Sequence, residues 1–374
     1  MPASIHAQAG GTLASVSYLD IPIPLQDPPP PTPEACAACH ADKYADWSHS
    51  RHAHAFSPGL IGQIADYTES EASRCLACHA PMIDQQEPLF QIGLDRIIHH
   101  QSPDLLAKHG IFCAVCHLRD GILHAASISS TEPGKKRIHD QVRINPLLRD
   151  SQFCATCHQF DTTYAINGKP LQDTYREWLD SPYPDRGTSC QTCHMPDKAH
   201  LFHGIHDSDM VRRGLTINTS SMEEAGVIVI RSTAIGHRFP TYIVPRVRVT
   251  GALLDADGRP IPGGSHEQTI MREMKIENGR WIEISDTRLQ PGGHLTLQVP
   301  WHIDGVCGST IQFQVIVEPE WFYYEKLYPT VLRELDDEPA QDLIKRAKAS
   351  AEGHNYILFE ARLPHNCTNG YSYY

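Results

Sequence analysis

Ten of the twelve cysteines stand in pairs separated by two residues, and a histidine follows each pair directly. The five motifs are Cys36/Cys39/His40, Cys75/Cys78/His79, Cys113/Cys116/His117, Cys154/Cys157/His158 and Cys190/Cys193/His194. A single Cys-x-x-Cys could be half of a zinc site or a redox-active dithiol, but neither needs a histidine directly after every pair. The repeated Cys-x-x-Cys-His pattern is that of c-type haem attachment, in which the cysteines form thioethers and the histidine ligates the iron. The sequence therefore predicts five covalently attached haems c.

The second axial position of each iron decides between an electron carrier and an enzyme, because an open position can bind a substrate. The chain has 23 histidines, of which 18 lie outside the five motifs, and it has only seven methionines, including Met1. This surplus favours bis-histidine ligation. Such irons are closed to substrates and have relatively low reduction potentials, since methionine and not histidine raises the potential.

Five histidines are the best candidates for the second ligands. His52 follows a tryptophan in WSHSRHAHAF, and His139 stands fifteen residues before the fourth motif. His200 and His206 follow the fifth motif in HLFHGIHD, and His237 lies in IGHRFPT, in a turn between two predicted strands. A loop at the end of a rigid β-sandwich is well placed to insert a ligand into a neighbouring domain. The reserve candidates are His54, His99, His100, His109 and His124.

The bulk composition limits the possible functions. The net charge of −12 argues against a nucleic-acid binder, which would carry basic patches. No run of 18 apolar residues predicts a membrane span, and the first residues lack the charged and apolar regions of a signal peptide. Haem attachment outside the cytoplasm nevertheless implies an exported protein, periplasmic or extracellular. In an oxidising compartment the two remaining cysteines, Cys307 and Cys367, are expected to form a disulfide.

The changing character of the sequence predicts four segments in an α+β protein. They are an arm with a Pro-rich linker at 1–35, a pentahaem domain at 36–215, a β-sandwich at 216–320, and a helix, strand and tail at 321–374 tied to the sandwich. The arm is either a disordered terminus or a segment that docks on this chain or on another copy. The pentahaem domain is loop-rich, with short helices expected at 41–48, 102–108 and 173–180. It lacks enough apolar sequence to form a core from side chains alone, so we expect it to be unfolded without haem.

The C-terminal half reads as strands and one helix. Alternating runs such as VIVIRST and IQFQVIVEP are separated by turn signals, and ENGR between two such runs is typical of a hairpin. Five to seven strands over about 100 residues favour an immunoglobulin-like antiparallel sandwich. Residues 339–353 read as a helix and 354–364 as a strand.

Several motifs together resemble one family, the multihaem c-type cytochromes related to cytochrome c-554 and hydroxylamine oxidoreductase. They are the S-x-H-A-x-A block at 50–55, FCATCHQF, DTYREWLDS, SCQTCHMP, H-x-F-x-G-x-H-D and GHRFPT, spread over residues 34–260. The resemblance implies that His52 and His237 are second haem ligands, supports His200 and His206, and extends less directly to His139. It also implies a β-sandwich after the haems and, for some similar proteins, extracellular filaments.

Three functions fit these features. The main interpretation is an electron-transfer conduit of bis-histidine haems that exchanges electrons with redox proteins and forms a homo-oligomer or filament, without being an enzyme. The alternative is an oxidoreductase in which one open haem acts on a small nitrogen or sulfur compound. A binding role for the sandwich is a third possibility, although fold alone does not indicate it.

Overall fold

Short helices form the N-terminal part of the molecule and a β-sandwich forms the C-terminal part. The structure, a computed structural model, describes residues 19–97, 105–127, 139, 141–162, 165–277, 280–301 and 309–365. The α-helices are α1 Pro33–Ala37, α2 Ala41–Ser48, α3 Pro58–Ile64, α4 Glu69–His79, α5 Ile83–Ile92, α6 Leu94–Ile97, α7 Cys113–His117, α8 Ser151–His158, α9 Thr174–Leu179, α10 Cys190–His194, α11 Ser208–Gly214, α12 Tyr328–Glu334 and α13 Glu338–Gly353. The mixed composition confirms the predicted α+β class.

The strands form four sheets. Their bounds are β1 Leu118–Arg119, β2 Ile122–Ala125, β3 Val142–Ile144, β4 Leu215–Ser221, β5 Ala225–Ser232, β6 Arg246–Leu254, β7 Pro260–Ile270, β8 Arg272–Glu277, β9 Arg280–Asp286, β10 His294–Pro300, β11 Thr310–Glu318 and β12 Tyr356–Pro364. The first three strands make a small sheet in the helical region, and the hairpin β8–β9 stands apart from the two sheets of the sandwich. Residues Glu277 and Arg280 pair at the end of that hairpin, where the ENGR signal predicted it.

The sandwich consists of a three-stranded and a four-stranded antiparallel sheet, with strand orders β10-β5-β4 and β12-β11-β6-β7. Alternate residues of the facing strands point inward, so Ile230, Val249 and Phe313 are completely buried between the sheets. In a constant-type immunoglobulin domain the fourth strand completes the sheet of the first, second and fifth strands. Here the fourth strand, β7, pairs with β6 and so forms the edge of the other sheet. The domain is therefore immunoglobulin-like in class, but its fourth strand belongs to the opposite sheet.

Two apolar clusters occur in the helical region, more than its loop-rich sequence indicates. One contains Leu60, Ile64 and Leu76 from α3 and α4. The other joins Trp47 to Ile23, which lies in the predicted arm and is 1% exposed. The backbone of Ile23 pairs with Pro81 and Ile83 through hydrogen bonds of 2.6 and 2.9 Å, so the end of the arm docks on this chain.

The C-terminal helices contact the helical region, although the sequence pattern assigns them to the sandwich alone. A π-helical turn at Tyr323–Leu327 leads into α12 and α13, and α13 packs against α3. The contact requires a glycine, because a Cβ atom on Gly62 would lie 2.9 Å from the side chain of Ile344. Strand β12 then returns to the sandwich. No helix in the described part of the chain is both long and apolar enough to cross a membrane.

Candidate haem-binding sites

Four of the five cysteine motifs lie on a helical turn, which explains their spacing. Helices α4, α7, α8 and α10 end at the histidine of their motif, and the first motif spans the end of α1 and the turn after it. On a helix, residues i, i+3 and i+4 share one face, so both thiols and the imidazole point to the same side. Side-chain caps begin several of these helices: Ser189 accepts a hydrogen bond from Thr192, and Asp150 accepts one from Gln152. We number the sites 1 to 5 in the order of their motifs.

Cys39 in the first motif differs from the other predicted attachment residues, although the five motifs are alike in sequence. Helix α1 ends at Ala37, so Cys39 lies in the turn before α2 and is exposed, whereas Cys36 is partly buried. Among the ten motif cysteines, all of which the structure describes, Cys193 is exposed as well. The backbone N–H groups of Cys39 and His40 still donate to the carbonyl of Cys36, at 3.1 and 3.0 Å. The helical spacing of the first motif is therefore kept, although α1 ends before Cys39.

Four of the motif histidines face a second histidine across gaps of nearly equal width. The pairs, with the distances between their ring centroids, are His40–His139 at 6.2 Å, His117–His200 at 6.2 Å, His158–His52 at 6.2 Å and His194–His237 at 6.3 Å. Metal–nitrogen bonds of about 2.0 Å, with each nitrogen about 1.1 Å from its ring centroid, place two axial imidazoles about 6.2 Å apart. The four gaps therefore fit one six-coordinate iron each.

Hydrogen bonds from the opposite ring nitrogens fix the orientation of these imidazoles. The Nδ1 atoms and their backbone acceptors are His79 with Ala55 at 2.6 Å, His117 with His124 at 2.8 Å, His194 with His203 at 2.5 Å, His200 with Lys198 at 3.0 Å and His237 with Arg238 at 2.9 Å. An imidazole that donates from Nδ1 to a carbonyl keeps Nε2 free of a proton. The lone pair of Nε2 then faces the metal position, which is the usual arrangement of ligating histidines.

Burial keeps several of these rings neutral. It lowers the pKa of His52 to about 3 and the pKa values of His158 and His237 to about 4, with neighbouring imidazoles adding to the effect. A neutral imidazole is the form that ligates a metal. The protein thus presents these rings ready for iron at neutral pH.

The loop that carries His237 is held by a buried carboxylate on α9. Glu177, with 8% of its side chain exposed, accepts hydrogen bonds from the Arg238 backbone at 3.1 Å, the Thr241 hydroxyl at 3.2 Å and the Arg288 guanidinium at 3.0 Å. The residues of DTYREWLDS and GHRFPT therefore meet in space. Their contact places a sandwich loop opposite the fifth motif, where the ring of His237 faces that of His194.

Phe202 lies between two of the candidate second ligands, His52 and His200. Its ring centroid lies 4.4 Å from that of His52 and 5.9 Å from that of His200. The backbone of Phe202 has a φ of 49°, a conformation uncommon for a bulky residue. The ring therefore fills the space between sites 3 and 4.

Contacts between thiols show which sites are neighbours. The thiols that lie close enough to shift one another's pKa are Cys36 and Cys113, Cys78 and Cys157, and Cys154 and Cys190. They join site 1 to site 3, site 2 to site 4, and site 4 to site 5. The pKa of Cys154 is raised by Cys190, by burial and by the nearby thiol of Cys116. Because Cys116 belongs to site 3 and Cys154 to site 4, these two sites are neighbours as well. Site 4 is therefore adjacent to three others.

The ring of His79 at site 2 differs from the other four. Within the described ranges, no imidazole faces it at the spacing of the four pairs. The remaining predicted ligand, His206, lies elsewhere: the structure brings it to Glu320 and His354, with its Nε2 atom 3.7 Å from a carboxylate oxygen of Glu320. Its ring turns toward this carboxylate and not toward a motif histidine.

The reserve histidines do not complete site 2 in the described structure. His54 is exposed, His109 lies 3.9 Å from Glu34, and the backbone of His124 accepts the hydrogen bond of His117. Outside the described residues lie His99, His100 and the predicted disulfide partners Cys307 and Cys367.

Comparisons with known proteins concern part of the sequence and the fold. Residues 35–118 match the family model of cytochrome c554 and c-prime, and a search among curated proteins gives no match. The structure resembles that of a penta-heme cytochrome c552 from Thermochromatium tepidum, with a TM-score of 0.63 over 90% of this chain and 99% of that chain. The two sequences are 19% identical, so this likeness concerns the fold. The family match covers residues 35–118, so the comparisons show a likeness to cytochrome c554 in the N-terminal part of the sequence and a fold shared with a penta-heme cytochrome.

Proposed function

We propose that this cytochrome carries five covalently attached haems c and conducts electrons along them. The observation that supports it is the set of four imidazole pairs, each of which contains a motif histidine and has the width of one bis-histidine iron. The haems supply reversible one-electron chemistry between Fe(III) and Fe(II). The ten motif cysteines attach the haems, with Cys39 and Cys193 on the exposed side of sites 1 and 5, and the protein sets the ligation, spacing and dielectric surroundings.

The contacts between motifs suggest a branched path. Sites 1, 3 and 4 follow one another, and sites 2 and 5 both adjoin site 4. In this arrangement site 4, with His158 and His52, is the junction through which electrons pass between the two branches. Phe202 and the neighbouring imidazoles exclude water from the junction, so the environment of its haem has a low dielectric.

We place this function outside the cytoplasm, in the periplasm or at the cell exterior, because covalent haem attachment takes place there. Its partners are other redox proteins, and the net charge of −12 favours partners with a basic docking surface. We also propose self-association into a homo-oligomer or filament. It is supported by the Pro-rich arm, the tyrosine-rich tail and the exposed Ile357 (52%) on the edge strand β12. Sedimentation velocity that shows only monomers at every concentration would exclude it.

Changing His237 to alanine tests the proposed ligation. Intact-protein mass is expected to show five haems on the wild type and on the variant, because the thioether attachments are untouched. Electron paramagnetic resonance is expected to show that one low-spin haem of the wild type becomes high-spin in His237→Ala, since the iron at His194 loses its second ligand.

The matched control is His203→Ala, because His203 stands in the same ligand-rich region but its ring faces Asp207 at 3.3 Å. Its spectrum is expected to equal that of the wild type. Fewer than five haems on the wild type, or an unchanged spectrum in His237→Ala, would contradict the proposed set of sites.

A second candidate function rests on His79. Site 2 has no second imidazole among the described residues, and an iron with an open position could reduce or oxidise a small nitrogen or sulfur compound. Burial raises the pKa of Tyr323, in the π-helical turn, to about 12, so its phenol is protonated at neutral pH.

Cyanide binding distinguishes an open site from a closed one. The wild type is expected to bind one cyanide per chain, with a shift in the optical spectrum of one haem. His52→Ala is expected to bind two, because site 4 opens as well. A wild-type spectrum that cyanide does not change would show that site 2 is closed by a ligand and would leave the chain an electron carrier only.

A further inference from the structure

Two histidines and a glutamate meet where the helical region contacts the C-terminal helices. His206 follows the fifth cysteine motif, Glu320 follows β11, and His354 caps the end of α13. One ligand atom of each lies within 4.8 Å of the other two. We propose that these residues bind one divalent metal ion of the zinc or iron(II) class, separate from the haems. This proposal is independent of the proposed electron-transfer function.

The geometry suits a single small ion. The carboxylate oxygen Oε2 of Glu320 lies 2.6 Å from Nδ1 of His354 and 3.7 Å from Nε2 of His206. Two donors bound at about 2.1 Å to one tetrahedral ion lie about 3.4 Å apart, a value between the two observed distances. The rings of His206 and His354 are nearly perpendicular, at 81°, so their ring nitrogens can approach one point from different directions.

A hydrogen-bond network without a metal leaves one atom unexplained. The contact between His354 and Glu320 is an ordinary hydrogen bond. The Nε2 atom of His206 is buried and has no hydrogen-bond partner in the described structure, because 3.7 Å to the carboxylate is too long. Buried polar atoms without partners are rare and need an explanation. A metal ion beside Oε2 would bind this nitrogen and use all three groups.

The carboxylate is held in place for such a role. Arg51 donates a hydrogen bond of 2.5 Å to the other oxygen of Glu320, Oε1, and so leaves Oε2 to the two histidines. Glu320 as a whole is 7% exposed, whereas about a third of the His354 side chain is exposed and gives an ion access from solvent. Metal-ligating carboxylates are commonly oriented in this way by a second hydrogen-bond partner.

The donor set decides the class of metal. Two imidazole nitrogens and one carboxylate oxygen suit zinc and iron(II), while calcium and magnesium prefer oxygen ligands. Three protein ligands leave the remaining coordination positions to water. Because the ligands come from three segments that are distant in sequence, the ion would fasten α13 and the end of β11 to the haem-binding region.

Zinc titration of the holoprotein tests the proposal. After dialysis against a chelator, the wild type is expected to bind one zinc per chain in equilibrium dialysis, counted by mass spectrometry beside the haem iron. His354→Ala and Glu320→Gln are expected to bind it about 100-fold more weakly, since each lacks one of three ligands. His203→Ala, three residues from His206, is the matched control and should bind as tightly as the wild type.

Two results would overturn the proposal. One is a wild type that binds zinc no more tightly than His354→Ala. The other is a His206→Ala variant in which a haem becomes high-spin, because His206 would then be a haem ligand. A readout that needs no variant is the melting temperature of the holoprotein. Saturating zinc should raise it, because zinc binds the folded state, and an unchanged value would also contradict the site.

Discussion

A chain produced without haem attachment is expected to keep the β-sandwich and to lose the structure of the region 36–214. The sandwich has a core that consists only of its own side chains, among them Ile230, Val249 and Phe313, each 0% exposed. Limited proteolysis of the chain made in the cytoplasm, followed by mass spectrometry, should leave a fragment that begins near Leu215. The holoprotein under the same conditions should resist cleavage throughout the helical region.

The reason is the shortness of the helices that carry the motifs. Helices α7 and α10 have five residues each, far below the 12–15 residues at which an isolated helix becomes even marginally stable. Their motif residues line the proposed haem positions, so without haem the paired imidazoles would stand with their ring centroids about 6.2 Å apart. The apolar clusters around Leu76 and Phe112 are small, and their buried members all come from residues 23–118.

The proteolysis has an internal control. Helix α13 packs on α3 in the helical region, whereas β12, directly after it, belongs to the sandwich. Without haem, cleavage is therefore expected in α12 and α13 but not in β12, which remains paired with β11. Equal resistance of residues 36–214 with and without haem would show that the side-chain clusters suffice for folding.

The sequence predicted those parts of the structure that depend on local spacing. The five motifs, helix α2 at Ala41–Ser48 and the hairpin at Glu277–Arg280 each follow from residues that are close together in the chain. The exposure of Cys39 could not be predicted, because it depends on where α1 ends and on what packs around the turn. Strand β7 was not predicted either, because its apolar residues do not alternate and it lies at the edge of the sheet. An edge strand forms because it pairs with a neighbouring strand, and the local sequence pattern carries no information about that pairing.

Ligand pairing could be predicted only in part for the same reason. His52 and His237 stand in distinctive motifs, and His52 could be expected to serve a haem other than that of the motif before it, but nothing in the local sequence says that it faces His158. The metal-binding role proposed for His354 could not be predicted from the sequence at all. It becomes visible only when Glu320 and His206 are seen beside it, across more than a hundred residues of sequence.

Replacing Glu177 by alanine is expected to lower the free energy of unfolding by about 1–3 kcal/mol, the usual effect of leaving buried hydrogen-bond donors without their acceptor. The ion pair of Glu177 with Arg288 is almost fully enclosed: 8% of the Glu177 side chain and 1% of the Arg288 side chain are exposed. Without the carboxylate, Arg288 keeps only its bond to Asp286 as an ion pair, and the backbone of Arg238 loses an acceptor. Guanidinium unfolding of the holoprotein measures the loss.

The matched control is an exposed pair of the same type in the same sandwich. Glu267 and Arg248 form two hydrogen bonds, at 3.1 and 2.6 Å, but their side chains are 40% and 33% exposed. Glu267→Gln is expected to cost less than about 1 kcal/mol, because solvent screens such pairs. A loss in Glu177→Ala no larger than in Glu267→Gln would mean that the buried network does not stabilise the fold.

The spectrum separates a general loss of stability from a positioning role. Glu177 acts on site 5 through the backbone of Arg238, next to His237. If it positions this ligand, Glu177→Ala under fully native conditions should show a fraction of high-spin haem, and Glu177→Gln, which keeps an acceptor oxygen, should restore most of the low-spin signal. Glu267→Gln should show none. An unchanged spectrum in a destabilised Glu177→Ala would mean that the carboxylate stabilises the fold but does not position His237. The loop would then be held by its own backbone and by the packing of the Trp178 ring against Gly236.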